Sequence, residues 1–152
     1  MREQLAAALD WGDAHADFDR AVEDFPPDLR GRRVRGLPYT AWQIVEHLRI
    51  AQQDLLEFAT NRKYREKSWP ADYWPKDPAP PNTRAWNASI AAFREDRAAL
   101  KRLAKNPKVR LTARIPHGKG QTYAREILLA IDHNAYHVGE LIVLRRLLGA
   151  WR

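Results

Sequence analysis

Leu5, Ala8, Trp11, His15, Phe18 and Val22 recur at steps of three and four, the spacing that keeps apolar side chains on one side of an α-helix. Phe25-Pro26-Pro27 ends the run, so a first helix is predicted up to about Val22. The stretch from Asp28 to Pro38 sets Arg30, Arg32, Arg33 and Arg35 between glycines and proline and reads as a solvated loop. Thr40-Ala41-Trp42-Gln43 then has the form of a capping box, with Tyr39 placed to pack on Ile44 as a staple. A second helix should run from there through Ile44, His47 or Leu48, Ala51, Leu55 and Phe58 to about Thr60.

Residues 61–82 hold Trp69-Pro70, Tyr73-Trp74-Pro75, Pro78, Pro80 and Pro81, too many prolines for a regular element. So much aromatic surface favours a strap laid on the body over a free linker. Asn82-Thr83 can cap a third helix whose stripe runs Trp86, Ile90, Phe93, Arg97, Leu100 and Leu103, stopped at Asn106-Pro107. Val109 to Ile115 alternates like a strand, but Pro116-His117-Gly118-Lys119-Gly120 limits it to a brief extended segment or small hairpin. Thr122 caps a last helix through Leu128, Ile131, Ala135, Val138, Ile142 and Arg145 to Gly149, with Arg145 and Arg146 complementing its C-terminal dipole. Four amphipathic helices without a sheet predict an all-α four-helix bundle, and the 22-residue strap is long enough for a crossover connection. At 152 residues the chain is expected to form one domain, residues 1–152.

Composition narrows the chemistry. The chain has no cysteine, which excludes disulfides, thiolate metal sites and thiol nucleophiles and leaves His, Asp and Glu as strong metal ligands. Its charge is +7, with 26 Lys and Arg against 19 Asp and Glu, which keeps acidic partners open. No helix-turn-helix, RNA-binding or zinc-finger pattern accompanies that charge, so nucleic acid is a poor candidate partner. The N-terminus lacks a signal-peptide pattern and no apolar run approaches the roughly 18 residues of a membrane span, so a cytoplasmic protein without membrane contact is expected.

His133 and His137 stand four apart, which on a helix brings both imidazoles within reach of one metal ion. The competing reading is a pair of hydrogen-bonded core histidines. His47, in the middle of the second helix beside its apolar stripe, is the third candidate, because an unpaired buried imidazole carries a desolvation cost. Three neutral imidazoles would leave a coordination position open on Zn²⁺, Ni²⁺ or a similar ion, the arrangement used to activate water or bind substrate. Glu140 shares their helix face as an acceptor behind an imidazole, a general base, an extra ligand or a plain surface acid. Gln43 and Asp54 are weaker candidates on the His47 face. His15 reads as a boundary residue, His117 as a solvated loop residue or the rim of a pocket, and Tyr136 as core. Gly139 weakens the last helix and predicts close helix packing or room for a ligand.

The segment Asp132-His133-Asn134-Ala135-Tyr136-His137-Val138-Gly139-Glu140-Leu141, continued by Leu144-Arg145-Arg146-Leu147-Leu148-Gly149-Ala150-Trp151, resembles the last helix of DinB-like four-helix proteins. The resemblance extends to His47, to Tyr73-Trp74-Pro75, and to Ile115-Pro116-His117-Gly118 with Gln121-Thr122, nearly the whole chain. It implies a DinB/YfiT-like bundle with a divalent metal, nickel or zinc, on residues matching His47, His133 and His137. Family members with assigned activities include thiol-dependent S-transferases and a mycothiol-dependent maleylpyruvate isomerase. The family is separate from the translesion polymerases.

Two function classes follow. One is a metal-dependent transferase or hydrolase acting on a small-molecule substrate, with a low-molecular-weight thiol as a second cofactor and Glu140 orienting a ligand or moving a proton. The other is a metal-binding module without turnover. A homodimer is also expected, because a small bundle with six tryptophans can leave one apolar helix face exposed.

Overall fold

A computed structural model describes residues 1–10 and 12–151 and shows an all-helical bundle. The chain forms α1 (Arg2–Ala8), α2 (Phe18–Val22), a 3-10 turn (Pro27–Leu29), α3 (Ala41–Thr60), α4 (Thr83–Lys105) and α5 (Tyr123–Leu147). All three long helices begin at side-chain caps. Thr40 and Gln43 form the full reciprocal capping box, Asn82 accepts from the Ala85 N–H, and Thr122 accepts from that of Arg125. Each cap satisfies an amide left without a partner by the helix start, so the boundaries are set locally.

Trp42 tilts against Trp86 with ring centroids 6.5 Å apart, and Gln52 Nε2 donates to the Phe93 carbonyl at 2.7 Å. These contacts make α3 and α4 parallel, so residues 61–82 carry the chain back along the bundle as a crossover. Asn134 Nδ2 donates to Gln52 Oε1 at 2.8 Å while residue 47 meets residue 137, so α5 runs antiparallel to α3. Between these helices lies a core that includes Phe18, Phe25, Trp42, Val45, Leu48, Trp86, Phe93, Leu141 and Leu144. A second cluster around Leu100, Leu111 and Ile127 closes the other end. An isolated bridge between Arg114 and Thr122 is the brief extended pairing expected ahead of α5.

Several expectations are corrected. The first helix is not continuous: α1 ends at Ala8, and a new helix starts where the Asp17 carboxylate accepts from the Arg20 amide at 2.8 Å. Gly12 and Asp13 lie in the break, both poor helix formers, and Trp11 of the predicted stripe is outside the described residues. Arg30 is not a solvated loop residue. It is buried, donates to the Phe25 carbonyl through Nε and Nη2, and lies over the Trp86 ring at 4.8 Å. Arg32, Arg33 and Arg35 are exposed as expected. In the strap, Tyr73 and Trp74 are half-buried but Trp69 is 71% exposed.

The apolar residues of α5 do not form the one buried stripe predicted. Val138, Leu141, Ile142 and Leu144 are buried, whereas Leu128, Ala135 and Tyr136 are exposed. Tyr136 is therefore not core. Arg145 is buried and donates to the carbonyls of Ala150, Arg20 and Ala21, which ties the end of α5 to α2. Gly149 follows in the left-handed region at φ 70°, as a helix stop requires. By length and composition α5 is long and apolar enough to cross a membrane, and 44% of its most apolar stretch is buried in the bundle.

Candidate metal centre

His47 comes from the middle of α3, and His133 and His137 from successive turns of α5. The antiparallel packing of these two helices brings the three rings together across 86 and 90 residues of chain. The Nε2 of His47 lies 3.0 Å from that of His133 and 3.1 Å from that of His137. All three ligand atoms fall within 4.8 Å of one another, and His47 and His137 are buried.

The outer nitrogens show what those inner ones carry. His47 Nδ1 lies 2.9 Å from the Tyr73 carbonyl oxygen, and His137 Nδ1 lies 2.7 Å from Glu140 Oε2. Both partners are acceptors, so each Nδ1 holds its proton and, in a neutral ring, each Nε2 presents a bare lone pair. Burial pushes the pKa of His47 down to about 4. Burial, reinforced by the other two rings, pushes that of His133 down to about 3. Neutral rings are therefore favoured at His47 and His133, and bare Nε2 lone pairs on His47 and His137, 3.1 Å apart, repel unless a cation lies between them. A tetrahedral ion bound at about 2.0–2.1 Å sets its nitrogen ligands about 3.3 Å apart, a few tenths of an ångström wider than the two spacings from His47. The three residues fit a divalent metal ion.

The surroundings hold the rings in place. Trp74 stacks face to face on His47 at 3.8 Å and 4°, and Tyr39 stacks on the Trp74 ring at 3.6 Å, drawn to the strap. Tyr73, whose carbonyl meets His47, is itself anchored through its hydroxyl, which donates to Asp54 Oδ2 at 2.7 Å. Tyr64 donates to the same carboxylate, and burial beside Asp54 raises its pKa to about 12, so it stays a protonated donor. Gln43, besides closing the capping box, donates to the Pro75 carbonyl at 3.1 Å and pins the strap to the start of α3.

A cavity of about 810 Å³ opens beside the histidines, within the range of small-molecule sites. Its walls include Leu55, Phe58, Tyr73, Trp74 and Tyr136, with Asp54, Glu126 and Glu140 as acids and Lys119 and Arg125 as bases. His117 is on its rim, its Nε2 2.8 Å from the Phe58 carbonyl, whereas His15 sits exposed in the break before α2. Glu140 stands behind His137, outside the three-nitrogen cluster.

Sequence reasoning, which expected the Trp69 to Trp74 strap to wall the pocket, missed two contributors: the Tyr73 carbonyl and Glu126. Glu126 is almost fully buried and pairs with Arg125 at 2.7 Å. It lies seven residues before His133, two turns along the same helix face, and that spacing could have revealed it. No such signal exists for a backbone carbonyl on a proline-rich strap. Gly139 faces open space, with nothing within 4 Å of a Cβ added there, so the close packing expected within the chain is absent.

Comparison with curated proteins and with solved structures gives no match. The family model of the DinB superfamily matches residues 11–141, a stretch that carries all three histidines, the strap and most of α5. With its helical bundle and histidine cluster on the page, the chain belongs to the DinB superfamily.

Proposed function

We propose that this protein binds a divalent metal ion, nickel or zinc, through His47, His133 and His137, and is a metal-dependent enzyme acting on a small molecule held in the adjoining cavity. The observation that carries this reading is the convergence of three imidazoles, the His47 Nε2 lying 3.0 and 3.1 Å from those of His133 and His137, while two of the Nδ1 atoms are committed to acceptors. Three protein ligands with a cavity beside them match the open coordination of catalytic sites better than the closed shells of structural ones.

A metal bound there supplies Lewis acidity, lowering the pKa of a thiol or water so that an anionic nucleophile exists near neutral pH. The chain's own residues do the rest. Glu140 keeps the His137 Nδ1 proton in place and thereby turns Nε2 inward, and the Tyr73 carbonyl does the same for His47. Trp74 covers one face of His47 and keeps water from it. The aromatic walls favour an acceptor with an apolar body, and Lys119 and Arg125 favour one that also bears negative charge. A thiol-dependent transfer and a hydrolysis both suit this arrangement.

Elemental analysis of untagged protein comes first: about one nickel or zinc per chain, lost in His137→Ala, is expected. Metal-loaded protein is then assayed with thiol acceptors and hydrolase substrates. Activity that survives both metal removal and His137→Ala sinks the mechanism, and inactivity across a broad panel leaves a metal-binding module without turnover.

A further inference from the structure

The outward side of α5 is apolar without any partner in the chain. Leu128, Tyr136, Val143 and Leu147 are 53%, 64%, 46% and 61% exposed. At 100° per residue they lie within a single strip about 100° wide along the helix, with Gly139 inside it and Ala135 at its border. Gly139 costs the helix about 1 kcal/mol relative to alanine. Nothing inside the chain explains it, since a Cβ there would meet open space. A glycine inside an exposed apolar strip lets another backbone approach from outside.

The charges on the strip say what approaches. Asp132 lies seven residues before Gly139 and Arg146 seven after, and Ala135 and Val143 lie four before and four after. Seven residues are two turns, about 10 Å along the axis, so both charges sit on the strip's own face. Asp132 forms no ion pair among the described residues, and Arg146 reaches only the Trp151 ring, at 5.7 Å. A helix laid antiparallel on this one, and centred on the same glycine, would set its Arg146 against Asp132 and its Asp132 against Arg146. A lipid surface would instead have to desolvate both charges.

We propose that this face pairs with the same face of a second copy of the chain, α5 against α5, about a two-fold axis at Gly139. The pattern is self-complementary, as an isologous interface demands. It also bears on the cavity. Tyr136 lies edge-on to His137 at 4.8 Å and is one of the cavity walls, so the second copy closes over that side of the mouth. The pairing is independent of whether the histidines hold a metal.

Analytical ultracentrifugation of the full chain at micromolar concentrations tests it. A dimer is expected, weakened at least tenfold by either Asp132→Arg or Arg146→Asp alone and restored by the two together. Because the chain has no cysteine, Gly139→Cys gives a clean second readout. Mild oxidation should yield a disulfide-linked dimer, while Asn87→Cys, at an exposed site on α4, should not. A wild-type monomer, a dimer indifferent to both charge reversals, or a monomer that instead sediments with anionic phospholipid vesicles would overturn the proposal.

Discussion

Replacing Glu140 separates the support of a ligand from the ligand itself. The carboxylate accepts from His137 Nδ1 at 2.7 Å, the length of a charge-assisted hydrogen bond. Partners of this kind behind a metal-bound imidazole are worth about 10–100-fold in affinity, or about 1.4–2.7 kcal/mol. The Glu140 side chain is 36% exposed, so solvent screening puts Glu140→Gln, which keeps an acceptor but no charge, near tenfold. Glu140→Ala removes the acceptor, frees the tautomer and lies nearer a hundredfold. The assay is competition for Zn²⁺ or Ni²⁺ against a chromophoric chelator at neutral pH. Thermal melts give a second reading, since free ion at 100 times its dissociation constant stabilises the fold by about 2.7 kcal/mol. For a chain of this size that corresponds to a rise of roughly 5–10 °C, reduced in each variant in step with its lost affinity. If both variants hold the ion within twofold of the wild type, the carboxylate does not set the basicity of His137, and this account of the site is wrong.

Three further outcomes follow from the same geometry. In metal-free protein, His47 and His133 have folded pKa values of about 4 and 3, below the unfolded value of 6.5, so the unfolded chain takes up protons first as the pH falls. Stability should be full above pH 6.5 and decline from there toward pH 4 and below; melts of the apo wild type and of His133→Asn across that range should differ in slope, and equal slopes would contradict the burial argument. Tyr73→Phe keeps the carbonyl on His47 but loses the bond to Asp54, which should cost about 1 kcal/mol and speed proteolysis within residues 61–82, read by timed digestion and mass spectrometry. Gln52→Leu strands the Asn134 amide and removes the donor to Phe93, so denaturant titration should register a loss of about 1–3 kcal/mol, whereas an unchanged midpoint would mean that this buried link between three helices contributes nothing.

Much of the architecture was legible because its signals are local. Thr40 with Gln43, Asn82 and Thr122 mark helix starts through hydrogen bonds that span three residues, and periodicity reports which side of a helix is apolar within one stretch of chain. The spacing of His133 and His137 is likewise a property of a single helix. The same locality explains the misses. A periodic run from Leu5 to Val22 says nothing of the competing cap at Asp17, which starts a new helix. An arginine among glycines looks solvated until the Phe25 carbonyl and the Trp86 ring enclose it. On α5, apolar residues lie on two sides, and a linear pattern cannot tell the side packed on α3 from the side left open.

Residue types, caps and the single-helix histidine pair were thus determined by the chain itself, through interactions no longer than a helical turn. Only the tertiary structure decided that His47 meets that pair, that its outer nitrogen is tied to a strap carbonyl, and where a cavity opens beside them. Those facts depend on segments packing together from 26 to 90 residues apart in the chain, and no periodicity within one segment encodes the distance between two.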